Sequence, residues 1–193
     1  MGEARYLADL NGIQIDLQAA IDLCNRLLTI YKIGKIDSEL QEALSIAILV
    51  KYSRSFVTGV RKKLSINDIF GLSYNEIEIH DKFIALRNKH IAHSVNEFEE
   101  NKVKAYYNNE KVYTEGITSI SVGHARLISL GGSDAEAIIG LSKKIIDYVD
   151  MEMQAEKAKV LELVRNQPID EILRGSSTSF NPKMTNVDKR RKQ

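Results

Sequence analysis

A single cysteine, Cys24, is all the thiol chemistry this chain carries. That excludes an internal disulfide framework and any zinc site built on cysteine. Long uncharged apolar runs are also missing, so no segment reads as a membrane-spanning helix. The opening MGEARYLADL is acidic by position 9 and lacks the basic and apolar regions of a secretory signal. Gly2 is present, but Tyr6 stands where a myristoylation pattern needs Ser or Thr. Taken together, these absences make the cytoplasm the expected location and a membrane partner unexpected. No internal repeat is visible.

What remains is ordinary soluble composition, 44% hydrophobic and 27% charged over 193 residues, enough for one domain with a real core. The net charge of +1 hides an asymmetry. Between Arg174 and Gln193 six Lys/Arg face one Asp, leaving 21 Lys/Arg and 25 Asp/Glu for residues 1–173. Residues 1–173 therefore read as one mildly acidic helical domain. Residues 174–193, rich in Ser, Thr and Asn and without apolar period, read as a flexible basic tail.

Helical periodicity dominates the first part. From about Arg5 to Lys32, Leu10, Leu17, Cys24 and Tyr31 recur every seven residues, with Ile13, Ala20 and Leu27 beside them. They make one apolar face, and Gly34 is placed to stop the helix. A second helix is expected from Ser38, capped with Gln41. Its interior ALSIAILV is apolar on almost every side and reads as the central, most buried helix. If that helix survives Gly59, Arg54 and Arg61 share one face. A third helix starts at Ser73 with Glu76, and carries His80 and Arg87. After Phe98 the chain turns rich in Val, Tyr, Thr and Ile, which predicts a β-hairpin insertion at about 102–130, with room for a third strand. Ser133 and Glu136 then predict the start of a last long helix, its stripe running through Ile138, Leu141, Ile145, Tyr148, Val149, Val160 and Val164. Pro168 closes it. The fold class expected is mainly α: a bundle of four to five helices, built of two long antiparallel pairs, with a small β-hairpin before the last long helix.

Histidine is scarce, yet two of the four in the chain fall within the seven residues Arg87–His93. On a helix, Arg87, His90 and His93 form a slowly turning ridge, with Arg87 and His93 about 120° apart. They converge on one ligand only if the helix bends or ends nearby, or if a second chain completes the site. Asn88 is placed to orient either group by a hydrogen bond. Arginine offers a permanently charged fork for phosphate oxygens, and histidine transfers protons near neutrality. The pair is a kit for RNA cleavage, with the 2′-hydroxyl as nucleophile and the arginine stabilising charge on phosphorus oxygens. The plainer reading is a solvated helix end whose histidines favour the C-terminal dipole. A metal site on His90 and His93 lacks a matching carboxylate pattern, so no metal or other cofactor is expected. Arg54 and Arg61 read either as phosphate contacts on the side of the second helix that faces the motif, or as ion-pair residues for Asp68 or Glu76. Cys24, on the apolar stripe, reads as core.

The stretch HDKFIALRNKHIAHSVNEFEE resembles the HEPN superfamily (higher eukaryotes and prokaryotes nucleotide-binding), particularly its abortive-infection branch. The signature is an arginine, a polar residue directly after it, and a histidine following four to six intervening residues. Here these are Arg87, Asn88 and His93, with NKHIA as the five between. The resemblance covers roughly Arg5 to Arg165 and implies a metal-independent endoribonuclease. In that reading the protein is a toxin or antiviral (phage-defence) effector whose site forms where two motifs face each other in a homodimer. It places catalysis on Arg87, Asn88 and His93. His90, outside the motif's spacing, is left to position substrate, and the phosphate reading of Arg54 and Arg61 adds substrate contacts beside it. RNA is the implied partner, alongside an antitoxin or a subunit of a defence complex. Val95 stands where toxins modified by a nucleotidyltransferase carry tyrosine, so that form of control is not expected. The alternative within the resemblance is a non-catalytic HEPN-like module that binds nucleotide or RNA, or serves as a protein-interaction subunit of a defence complex.

Overall fold

The computed structural model describes residues 2–34, 37–59, 61–91, 99–107, 117–126 and 129–170. Their order is helix α1 (Gly2–Ile33), helix α2 (Ser38–Ser53), a 3₁₀ turn (Ile66–Asp68), helix α3 (Tyr74–Leu86), a π-helical turn (Arg87–Ile91), strands β1 (Glu99–Tyr107) and β2 (Ile117–Arg126), and helix α4 (Gly132–Arg165). The chain is thus mainly helical, with a small antiparallel hairpin before the last long helix. The predicted tail, 174–193, lies outside the described residues.

The heptad pattern of α1 does what its spacing dictates. Leu10, Ile13, Leu17, Ala20, Cys24 and Leu27 are fully buried, and Tyr31 is packed against the same core. Each buried aliphatic side chain contributes about 1.5–3 kcal/mol of transfer free energy. Gly34 adopts φ +69°, the left-handed conformation that ends a helix. Burial pushes the Cys24 thiol up to about 12, so it is an inert core residue. Ile138, Leu141, Ile145 and Val149 of α4 meet this face, with Met153 extending the line.

Polar contacts fix the directions. Gln14 donates to Asp150 at 2.7 Å, while Tyr31 donates to the Leu130 carbonyl, so α1 and α4 run antiparallel. Lys82 meets Asp134 at 2.8 Å and Lys144 meets Glu76 at 2.8 Å, so α3 and α4 do too. The helices pack in a ring, α1 on α2, α2 on α3, α3 on α4 and α4 on α1. Only α1 and α4 are long, at 32 and 34 residues, against 16 and 13 for α2 and α3. One long pair and one short pair therefore replace the two long pairs expected.

For its length, α2 is buried as extensively as α1, with Ser45, Ile48, Leu49, Tyr52 and Ser53 all inside. ALSIAILV in α2 buries Ser45, Ile48 and Leu49 against its neighbours and leaves Ile46 40% exposed. Two expectations at helix starts need correction. The cap of α2 is Asp37, one residue before Ser38, and its carboxylate accepts from the Leu40 amide at 3.0 Å. An ionised carboxylate also suits the positive end of the helix dipole. α4 starts at Gly132 rather than at Ser133. The Gly131 amide donates to Asp134 at 3.1 Å, and that carboxylate is held by Lys82 as well. The Ser73–Glu76 capping box of α3 is present as its spacing predicts.

In the hairpin Val103 pairs with Val122 and Ala105 with Ile120, and among the described residues the sheet has two strands. Cross-strand partners share a face, so these apolar side chains stand together, with Val103, Ile120 and Val122 all exposed.

Candidate functional site

The motif begins where α3 changes its winding. Leu86, buried, is the last α-helical residue, and Arg87–Ile91 continues as a π-helical turn. Such turns concentrate at functional sites because the wider winding redirects side chains that an α-helix would keep apart. A convergence of Arg87 with residues further along requires a departure from straight α-helix, and the departure starts at Arg87. The partly buried Arg87 donates from Nη1 to Oδ1 of Asn88 at 2.9 Å. Asn88 thus orients the guanidinium, as its position predicts. His93 lies outside the described residues, as does the side chain of His90.

Since α3 runs antiparallel to α4, Arg87 lies beyond Lys82 toward the end of the bundle where α4 begins. That end is tied together at Leu130. Its amide donates to Ser45 of α2 at 2.9 Å, and its carbonyl accepts from Tyr31 of α1.

The helix carrying the motif is pinned by a histidine to which the sequence assigns no role. His80, 4% exposed, shares a 2.8 Å hydrogen bond through Nδ1 with the Tyr52 hydroxyl. Phe56 packs edge-on against it at 4.4 Å, and Phe83 lies edge-on to Tyr52. Burial depresses the imidazole's pKa below its ordinary 6.5, against the opposing pull of Asp81. Burial likewise raises that of the Tyr52 phenol, Asp81 adding to the effect. The pair is a neutral hydrogen bond in an aromatic setting, joining α2 to α3 two turns before Arg87.

Arg54 and Arg61 are placed differently from expectation. α2 ends at Ser53, Arg54 is its C-cap and Arg61 lies in the following loop, so they do not share a helix face. Their partner is neither Asp68 nor Glu76 but Asp16 of α1. Arg54 Nε lies 3.4 Å and Arg61 Nη1 3.0 Å from Asp16 Oδ2, while Lys51 Nζ holds Oδ1 at 2.9 Å. Tyr52 turns toward α3 and Lys51 and Arg54 turn toward α1, so the arginines do not face Arg87. Asp16 sits 15 residues before Tyr31, about 22 Å along α1 from the Leu130 end. Asp16 had a signal in the sequence: flanked by Ile13, Leu17 and Ala20, it falls on the buried stripe, where an acid needs a cation.

Among the described residues no group of three or more His, Cys, Asp or Glu is placed to hold a metal ion, and no helix is long and apolar enough to cross a membrane. Comparison with protein-family models, with curated proteins and with solved structures finds no match to this chain.

Proposed function

We propose that the protein is a metal-independent endoribonuclease of HEPN type, with Arg87, Asn88 and His93 as its catalytic set. The observation that carries this reading is the Arg87–Asn88 hydrogen bond at the point where α-helix gives way to π-helix. A fixed, partly buried guanidinium at the mouth of a bundle suits a phosphodiester's developing charge. His93 would move the proton of the 2′-hydroxyl or of the leaving oxygen, and His90 would position the substrate. A cytoplasmic toxin or phage-defence effector is the setting this activity fits, with an antitoxin or defence-complex partner restraining it.

A second copy of the chain would complete the site. The exposed apolar face of the hairpin, which leaves and rejoins the bundle between Ile91 and Ser129, supports a homodimer. A two-stranded ribbon gains stability when such a face is covered.

The test is incubation of the purified protein with RNA in EDTA. Cleavage leaving a 2′,3′-cyclic phosphate is expected, with His93→Ala slower by on the order of 10²–10⁴. A requirement for added Mg²⁺, or full activity in His93→Ala, overturns the mechanism. An RNA complex without cleavage by the parent protein would indicate a non-catalytic binding module instead.

A further inference from the structure

Three cations converge on one carboxylate at Asp16, and one carboxylate neutralises only one of them. The cluster keeps two positive charges in excess. Asp16 is 5% exposed at its side chain, against 35% for Lys51, 46% for Arg54 and 30% for Arg61. The acid therefore lies at the floor and the cations open outward. Ion pairing is also incomplete as hydrogen bonding. Asp16 Oδ2 and Arg61 Nη1, both buried, have no aligned partner despite their 3.0 Å separation. Among the described residues neither guanidinium has another partner, so most of their donors are uncommitted.

The surroundings hold these groups in place. Arg61 crosses α1 at Gly12, where a Cβ would lie 2.7 Å from Nη1. A glycine inside a helix costs stability, and here it provides the notch that seats the arginine. The loop carrying Arg61 is closed by the Leu64 amide donating to the Ser55 carbonyl at 2.8 Å. It is tied down next door, where the Lys62 amide donates to Asp9 at 3.0 Å and Lys62 Nζ sits over the Tyr6 ring. Arg54 and Arg61 line a cavity of about 220 Å³ together with Val57, Thr58 and Gly59. Two arginine forks anchored on one carboxylate, beside a threonine and a glycine that line the same hollow, suit a tetrahedral dianion or diester. A mere fastening of α2 to α1 would need one cation and no cavity.

We infer that Arg54, Arg61 and Thr58 form a phosphate-binding subsite, with Asp16 and Gly12 as its positioning residues, that holds the RNA backbone several nucleotides from the cleaved bond. This rests on the ribonuclease reading for its ligand, and on the Asp16 cluster alone for its existence. The same chemistry would also accept a free nucleotide.

The experiment measures binding of a labelled single-stranded RNA to full-length His93→Ala protein, from 50 to 200 mM salt, with AMP and inorganic phosphate as competitors. Losing two phosphate contacts on a single strand should make the log–log salt slope shallower by about 1.4. The parent's affinity should thus fall about sevenfold more than that of Arg54→Gln/Arg61→Gln across this range. Arg54→Lys/Arg61→Lys keeps the charges, guards against loss of the fold, and should keep the parental slope. A folded Gln variant with unchanged slope and affinity overturns the subsite. Arginine-dependent binding of AMP or phosphate without arginine-dependent RNA binding overturns its assignment to RNA. Arg87→Ala separates the two proposals. It should abolish cleavage in the otherwise unaltered chain, while the slope difference of about 1.4 made by Arg54→Gln/Arg61→Gln persists in its background.

Discussion

Two buried titratable residues sit on either side of α2, and the fold treats them in opposite ways. Asp16 is packed against the α1-facing side with three cations around it. His80 is packed against the α3-facing side with Tyr52, Phe56 and Phe83 around it. Burying a charge is costly unless it is paired, and a group that can shed its charge need not be. The aspartate is kept within reach of countercharge, whereas burial favours the neutral histidine. The lesson is that one short helix fastens its neighbours by charge on one side and by a neutral hydrogen bond on the other. Solvent conditions should therefore act on the two sides separately.

The largest effect should come from removing the acid. Asp16→Ala leaves Lys51, Arg54 and Arg61 crowded without countercharge. Loss of one member of a buried pair costs about 3–5 kcal/mol, and partial exposure of these cations reduces that to about 2 kcal/mol. For a chain of this size the melting temperature should drop by roughly 4–8 °C. Asp16→Asn keeps the shape and an acceptor, and should lose most of the same stability if charge is the cause. An Asn variant as stable as the parent would show that packing, not charge, holds this side together.

The histidine side should respond to acid. The folded-state pKa of His80 lies below its unfolded value of 6.5, so the unfolded chain binds more protons between the two values. The stability contributed by neutral His80 is complete above about pH 6.5, and is lost as pH falls through the folded value. Urea midpoints measured from pH 7.5 to 5.5 should fall more steeply for the parent than for His80→Gln, which cannot titrate. Glu76 does not interfere. Its hydrogen bond from Lys144, together with those from Ser73, holds its pKa at about 2, well below this window. Equal slopes for the two proteins would mean that folding leaves the affinity of His80 for its proton unchanged.

How far the sequence reached follows the same physics. The α1 stripe, the Ser73–Glu76 cap, the stop at Gly34 and the hairpin are local patterns, legible because spacing alone decides them. The end of α2 at Ser53 is not local: the chain leaves the helix there and Arg61 is drawn to Gly12 and Asp16 on α1. The cap of α4 shifted because Asp134 answers both Gly131 and Lys82 of another helix. In the motif, Asn88 as the orienter of Arg87 follows from adjacency. The change to π winding at Arg87 has no residue-level signature comparable to a proline or glycine.

Gly12 offers the smallest effect and the sharpest one. Glycine to alanine inside a helix ordinarily gains about 1 kcal/mol. At position 12 the new Cβ would sit 2.7 Å from Arg61 Nη1, so the arginine must leave its notch and with it Asp16. The atom displaced is the far end of a flexible side chain, so the fold survives, and the helix gain and the lost pairing should nearly cancel, within about 0.5 kcal/mol. In an Arg61→Ala background nothing remains to displace, and the same Gly12→Ala change should recover the full gain of about 1 kcal/mol. The coupling between the two positions, measured as a double-mutant cycle in urea, is thus predicted to be positive and about 0.5–1.5 kcal/mol. A cycle that closes to zero would mean that Arg61 does not rest on Gly12, and the glycine would have no bearing on the cations around Asp16.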